Sequence, residues 1–588
     1  MGTTVEDRPT SATPPGRRAL GALQAPTRWE SPIGRPAGIL DPRFSGLGLS
    51  VGSWFLAASL LPSLLPRLAV VQGVISGVAL LLGYGVGAAL AALWSYLGIP
   101  VLGGRPRSAL TWLFVGIGLV LASLAGWKQV GWQNDIRTLY GMDPIGPGGW
   151  PVIITVTLFV AGAFLLAARS IRLAFGTLLT WLNRHMSAHL AMLLGWVLLL
   201  VGFWAIYTGV LVNGFFAGAN AVFAPSDSTV STSVGPPDSP ERSGGPGSLV
   251  AWDTMGQDGR TFVSEGPTAE DIDAVTGGGA QRPVRVYVGL KTADTPQARA
   301  DLVLAELKRT GAFDRKVLVL ATTTGTGYLD KNGTDPIEYL WNGDTAIAGV
   351  QYSFLPSWIS ILADQEAVQL NSQVVFETVQ QYWSTLPAAE RPALYLYGLS
   401  LGSYGVESVL GSINVINEPI SGALLVGPPF VNPVHDQLVS TRDPGSPAWL
   451  PVYGQGRTVR FTAEQDGFAR TPGPWGPTRI AYLQHASDPV VFVSPDLAFT
   501  PPEWLRDGQR GPDVSPRMGW FPLVTMVQVI LDMAGAGEVP MGYGHLYSAT
   551  ANLHAWEAVT EAPGWTPEEL ADLSAVLESH PHPYAGAH

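Results

Sequence analysis

The chain has 588 residues, a mean hydropathy of +0.21 and only 14% charged residues, which is too apolar for a purely water-soluble protein and points to membrane segments. Residues 1–220 hold 14 Lys and Arg against 6 Asp and Glu, whereas residues 221–588 hold 20 against 40. That acidic half excludes nucleic acid as a partner, and the lack of cysteine excludes disulfides, thiolate metal sites and a cysteine nucleophile.

Residues 1–43 form a Pro- and Arg-rich tail, read as disordered and cytoplasmic. The first apolar run starts near Phe44, so no cleavable signal peptide is expected. A helical membrane domain follows over residues 44–215. Five apolar runs predict spans at about 46–65, 69–95, 109–126, 151–168 and 189–212. The second, GVALLLGYGVGAALAAL, is rich in Gly and Ala, which suits close helix packing. Pro62 and Pro66 predict a sharp turn after the first span. Residues 171–183 read as a helix lying along the interface.

Basic residues set the orientation. The tail and the loops after spans two and four carry eleven (Arg8, Arg17, Arg18, Arg28, Arg35, Arg43, Arg105, Arg107, Arg169, Arg172 and Arg184). The opposite loops carry three: Arg67, Lys128 and Arg137. The N-terminus is therefore expected in the cytoplasm of a plasma-membrane protein. Five crossings put the acidic half outside.

Residues 216–280 form a linker and lead-in, with a Ser/Pro/Gly-rich tether at 224–248. Residues 281–580 then alternate strand and helix. Strands are predicted at 284–290, 316–324, 347–353, 393–397, 422–427 and 479–485, and helices at 294–311 and 364–383. Continuous apolar runs with helical crossovers indicate a mostly parallel, doubly wound sheet covered on both faces.

Two pentapeptides match G-x-S-x-G: GLSVG at 48–52 and GLSLG at 398–402. Ser50 lies inside the first span, with no strand before it, and reads as a packing residue. Ser400 lies between a predicted strand, ALYLY, and a predicted helix, SYGVESVL. There Gly398 and Gly402 permit a tight turn that presents a nucleophilic hydroxyl above the sheet. An acid and a histidine are expected downstream, in that order. Asp488 follows the strand RIAYLQH at a sheet edge, with Asp496 as the runner-up. His545 sits in a Gly-rich loop, MGYGHLYS, between two helical stretches. A neutral imidazole there would take the serine proton and return it to the leaving group. The other histidines considered are His435, His485, His554, His580, His582 and His588. The backbone amide of Leu401, with that of Thr324 or Gly325 in ATTTGTGYL, is the expected oxyanion hole. This loop lacks the G-K-[ST] ending of a phosphate-binding loop.

The strings RPVRVYVGL, ELKRTGAFDRKVLVLATTTGTGYLD, EYLWNGDTAIAGVQYSFLPSWIS, LYLYGLSLGSYGVES, HASDPVV and GYGHLYS, spread over residues 282–548, resemble the actinobacterial membrane-anchored α/β-hydrolases. The family's elbow carries an acidic residue before the serine, where this chain has Leu399. The resemblance implies an α/β-hydrolase fold behind a multi-span domain and a serine hydrolase at the cell envelope. The expected activity is attack on lipid or glycolipid acyl esters, without a cofactor or a metal. An acyltransferase with the same triad, and a non-catalytic envelope assembly or lipid-binding protein, are the alternatives. A transporter fits less well, because the spans hold almost no ionisable residues. The aromatic, Pro-rich segments 352–360 and 499–505 are candidates for a lid over an acyl site.

Overall fold

The computed structural model describes residues 23–24, 44–205, 235–355, 360–361, 365–411, 419–464, 467–471 and 473–579. The predicted tail apart from residues 23–24, the end of the membrane domain at 206–215, residues 216–234 of the linker, most of 356–364 and His580, His582 and His588 lie outside them. The chain divides into two compact units.

The first unit is helical: α1 (Gly46–Ser59), α2 (Ala69–Tyr96), α3 (Gly104–Leu139), α4 (Trp150–Leu182) and α5 (Ala188–Ala205). The helices α2 to α5 are long and apolar enough to cross a membrane. Large apolar side chains such as Trp127, Phe159 and Leu193 stand exposed on them, as lipid contact requires. Two of the sequence expectations change. The first predicted span appears as the 14-residue α1, short of the roughly 20 residues that a hydrocarbon core needs; Pro62 and its neighbours end the helical run. The predicted interfacial helix at 171–183 is the continuation of α4, because nothing in LAARSIRLAF breaks the helix.

Helix α2 holds this unit together through four small positions. A Cβ on Gly83 would lie 2.7 Å from Cγ of Phe55, and one on Gly87 would lie 2.5 Å from the Leu47 carbonyl oxygen, both on α1. A Cβ on Gly73 or Gly77 would strike Val156 or Val160 of α4. Each pair is spaced four apart, so each clears one face of α2 for close backbone approach.

The second unit carries a seven-stranded parallel sheet: β1 (Val284–Val288), β2 (Val317–Thr322), β3 (Thr345–Val350), β4 (Ala393–Leu399), β5 (Gly422–Val426), β6 (Val459–Thr462) and β7 (Arg479–Leu483), in the order β1-β3-β2-β4-β5-β7-β6. The helices α6 (Pro296–Arg309), α8 (Gln365–Trp383) and α9 (Leu401–Leu410) pack together, as do α7 (Lys331–Leu340) and α11 (Ala549–Thr560). A further helix, α10 (Val524–Asp532), precedes α11. Strands β1, β3 and β5 are buried at every residue, which explains their largely apolar runs. The edge strand β6 was not predicted; VRFT is too short to show a period.

The last part of the expected tether is folded. Glu241–Ser243 pairs with Arg285, covering the free edge of β1. The Arg242 guanidinium donates to the carbonyls of Val263, Gly266 and Pro267 at 2.7–3.0 Å. Composition favours a tether, but these long-range bonds order residues 235–248.

Arg285 sits in mid-strand, fully enclosed, with its guanidinium 2.6 Å from both Asp335 and Glu338. Replacing Arg285 with Ala leaves the buried Glu338 without its cation and Asp335 with Lys331 at 3.0 Å alone, at a cost of about 3–5 kcal/mol. Chaotrope unfolding of the full chain in detergent reads this directly. A loss below about 1 kcal/mol would mean that the ion pairs contribute no more than exposed ones do.

Candidate active site

The turn after β4 is built around Ser400, whose φ of 54° and ψ of −125° place a non-glycine residue in strained backbone. Two close approaches explain the flanking glycines. A Cβ on Gly398 would stand 2.3 Å from the carbonyl carbon of Gly402, and one on Gly402 would stand 2.3 Å from the Thr322 carbonyl oxygen. The Ser400 amide donates to the Val426 carbonyl at 2.8 Å, and its own carbonyl accepts from the Ser403 amide and hydroxyl. The strain is therefore held by tertiary bonds. Leu401 opens α9, so its amide has no acceptor within the helix.

Asp488 lies beyond the end of β7 and is completely buried. Its Oδ1 accepts from the Val490 amide at 2.8 Å, and its Oδ2 from the Tyr547 hydroxyl at 2.6 Å. The same Oδ2 is 2.6 Å from Nδ1 of His545. The other ring nitrogen of His545, Nε2, is buried and makes no hydrogen bond among the described residues. A Cβ on Gly427 would lie 2.7 Å from Cε1 of His545, so the imidazole rests on the residue after β5. Leu399 pairs with Val426, which makes Gly427 the next neighbour in register of Ser400. The sheet thus brings the predicted serine and histidine to adjacent positions at one strand end, with the aspartate behind the histidine.

The alternatives separate from this group. His435 is buried against Gln484 at 2.6 Å, and burial pushes its pKa down to about 4. Asp496 and His554 are exposed. Ser50 bonds back to the Gly46 carbonyl at 3.0 Å inside α1, as a packing residue does. The Thr324 amide donates to Tyr328 at 3.0 Å, which commits it within its own turn; Gly325 follows it there. In segment 499–505, Trp504 is buried against Phe492, whereas Phe499 is 78% exposed.

Sequence reasoning missed a second set of partners. Tyr547 holds the aspartate, and its ring stacks on His485 with centroids 4.2 Å apart. Nε2 of His485 is 2.9 Å from Glu464, and its Nδ1 is 2.9 Å from the carbonyl of Gly544, the neighbour of His545. The Ser487 hydroxyl accepts from the Gly544 amide at 3.0 Å. Only the position of Tyr547, two residues after His545, was a usable signal.

Residues 284–573 match a family model described as Alpha/beta-hydrolase family, and residues 60–267 match one described as its N-terminus. The chain belongs to an alpha/beta-hydrolase family. No curated protein and no solved structure matches it. In this α/β-hydrolase the matched regions cover the parallel sheet, the turn at Ser400, Asp488 and His545, together with most of the helical unit.

Burial opposes the charge on His485, but hydrogen bonding to Glu464 and its negative charge, with Asp513 nearby, outweigh burial and raise the His485 pKa above the usual 6.5. Burial also opposes the charge on Glu464, yet His485 and Ser548 hold its pKa below the usual 4.5. The raised histidine stabilises the fold fully below 6.5 and loses that contribution as pH rises through its folded value. The depressed glutamate contributes above 4.5 and loses its share as pH falls. The destabilisation of His485→Gln, read by thermal unfolding across pH, should therefore be largest between these values and shrink on the alkaline side. A gap that stays constant as pH rises well past 6.5 would show that His485 is not charged in the folded protein.

Proposed function

We propose that this α/β-hydrolase is a membrane-anchored serine hydrolase acting on acyl esters of envelope lipids or glycolipids. One observation carries the reading. The Asp488–His545 pair leaves a buried, unpartnered Nε2 beside the strained turn that bears Ser400. In the proposed reaction the Ser400 hydroxyl attacks the ester carbonyl while Nε2 of His545 takes its proton. Asp488 holds Nδ1–H and stabilises the imidazolium. The amide of Leu401 donates to the oxyanion. The imidazolium then gives its proton to the departing alkoxide, leaving an acyl-serine. Water, deprotonated by His545, attacks this ester; the acid leaves and the serine recovers its proton. A sugar or lipid hydroxyl in place of that water would make the same site an acyltransferase.

Wild-type membranes should react covalently with a fluorophosphonate probe, and Ser400→Ala should not. Asp488→Asn should slow the reaction by about 10⁴-fold, because the histidine tautomer is then wrong. Labelling that survives Ser400→Ala would place the nucleophile elsewhere.

The proposed orientation puts the catalytic unit outside the cytoplasm, which requires the 14-residue α1 to cross although it is shorter than a usual span. With it, basic residues divide eleven to three across the membrane; without it, they divide nine to five. The absence of native cysteine makes the test clean. An exposed probe position, Ala389→Cys, should react with an impermeant maleimide in intact spheroplasts. Reaction only after lysis would reverse the orientation.

A further inference from the structure

Two segments that connect apolar helices belong to the catalytic unit: Pro62–Arg67, between α1 and α2, and Trp132–Ile145, the end of α3 and the loop before α4. Within that unit they meet the stretch of chain that runs from α10 to His545. Arg67 Nε is 3.0 Å from Asp532 Oδ1, with both side chains almost completely buried. Oδ2 of Asp532 also accepts from the amides of Leu64 at 3.1 Å and Leu65 at 3.5 Å. Leu64 and Leu65 are as buried as any core residue. Asp532 is the last residue of α10, and His545 reaches back to this region by donating its amide to the Ala536 carbonyl at 3.1 Å.

The second segment holds the other end of the same stretch. The Tyr140 ring stacks on Tyr543 with centroids 4.3 Å apart and planes 20° from parallel. The Tyr140 hydroxyl lies 2.9 Å from the Leu64 carbonyl oxygen and 3.2 Å from that of Asp513. The Tyr543 hydroxyl donates to the Leu139 carbonyl at 3.1 Å. Gln133 accepts from the Arg67 amide at 2.8 Å, tying the two segments to each other. Leu65 lies next to Gly544; a Cβ there would be 3.5 Å from Cδ2 of the leucine.

A tether would need none of this. A buried cation, two backbone amides and a stacked ring are spent on the ends of one loop, and that loop carries His545. We infer that the two helix-connecting segments position the catalytic histidine, with Arg67 and Tyr140 as positioning residues acting through Asp532 and Tyr543. The inference rests on the role of His545 proposed above. It makes the membrane half a working part of the hydrolase, because the segments holding the base come from between its helices. Loosening the loop shifts the imidazole relative to Ser400, and a misplacement of about 1 Å costs on the order of 10²-fold in rate.

The test uses the full chain in lipid nanodiscs, with wild type, Arg67→Ala, Arg67→Lys and Tyr140→Phe. Fluorophosphonate inactivation is resolved into its maximal rate and its half-saturating concentration, and amide hydrogen exchange is followed over residues 536–547. For Arg67→Ala the maximal rate should fall about ten- to hundredfold at unchanged half-saturation, with exchange at 536–547 accelerated at least about tenfold. Arg67→Lys should recover part of both, because it restores the charge that faces Asp532. If Arg67→Ala does not accumulate as folded protein, Tyr140→Phe decides. It keeps the stacked ring, loses only the hydroxyl, and should show the same changes more weakly. Wild-type labelling with variants that match it in rate and exchange would overturn the positioning role and leave the hydrolase reading intact. A wild type that does not label, with loop exchange still faster in the variants, would retain the clamp and remove the hydrolase reading.

Discussion

The buried carboxylate of Asp488 is the contact on which the site depends. It has no access to water, so its charge must be met by protein donors. Three meet it: the Val490 amide, the Tyr547 hydroxyl and Nδ1 of His545. The tyrosine and the histidine share one oxygen, and turning the imidazole away would cost the buried carboxylate one of its three donors. The imidazole is thereby held against Gly427, with Nε2 buried and making no hydrogen bond among the described residues. The proposed chemistry uses this property; the rest of the unit supplies the rigidity behind it.

That rigidity comes in layers. Tyr547 is stacked on His485, whose two ring nitrogens face Glu464 and the Gly544 carbonyl. Gly544 is also held through its amide by Ser487. The residue before the histidine is thus bonded through both of its backbone polar groups. The Ser400 turn is enforced in the same manner, by the Val426 carbonyl and by Ser403. Both strained or loop-borne positions are over-determined by their surroundings, which is the condition for strain to persist in a folded chain.

Much of this was legible in the chain. The six predicted strands appear because parallel strands covered on both faces are mostly apolar, as in VLVLA or GALLV; VRVYV departs only at Arg285, whose charge is met by Asp335 and Glu338. The glycines of GLSLG signalled a backbone approach that side chains forbid, and the distances at Gly398 and Gly402 show why. Other features left no local trace. Arg242 stands in a stretch whose composition reads as a tether, and its carbonyl partners are more than twenty residues away. Tyr547, His485 and Glu464 share no local pattern; only the folded chain brings them together. Thr324 was a reasonable oxyanion donor from its loop, but the turn closes on itself and takes its amide.

The sequence by itself determined the two-part plan, the apolar helices, the parallel sheet and the short list of candidates for the proposed acyl chemistry. These follow from local periodicity, turn chemistry and charge, which a chain carries whatever it folds against. Only the tertiary structure decided which serine neighbours which histidine, and what holds that histidine in place. Ser400, Asp488 and His545 are spread over 146 positions of the sequence; Ser400 follows β4, Asp488 lies beyond β7, and the His545 ring rests on Gly427 after β5. The clamp at Arg67 and Tyr140 spans more than four hundred residues, as the Arg67–Asp532 and Leu139–Tyr543 bonds show. No local pattern encodes such a pairing, because its energy comes from burial that exists only once the chain has folded.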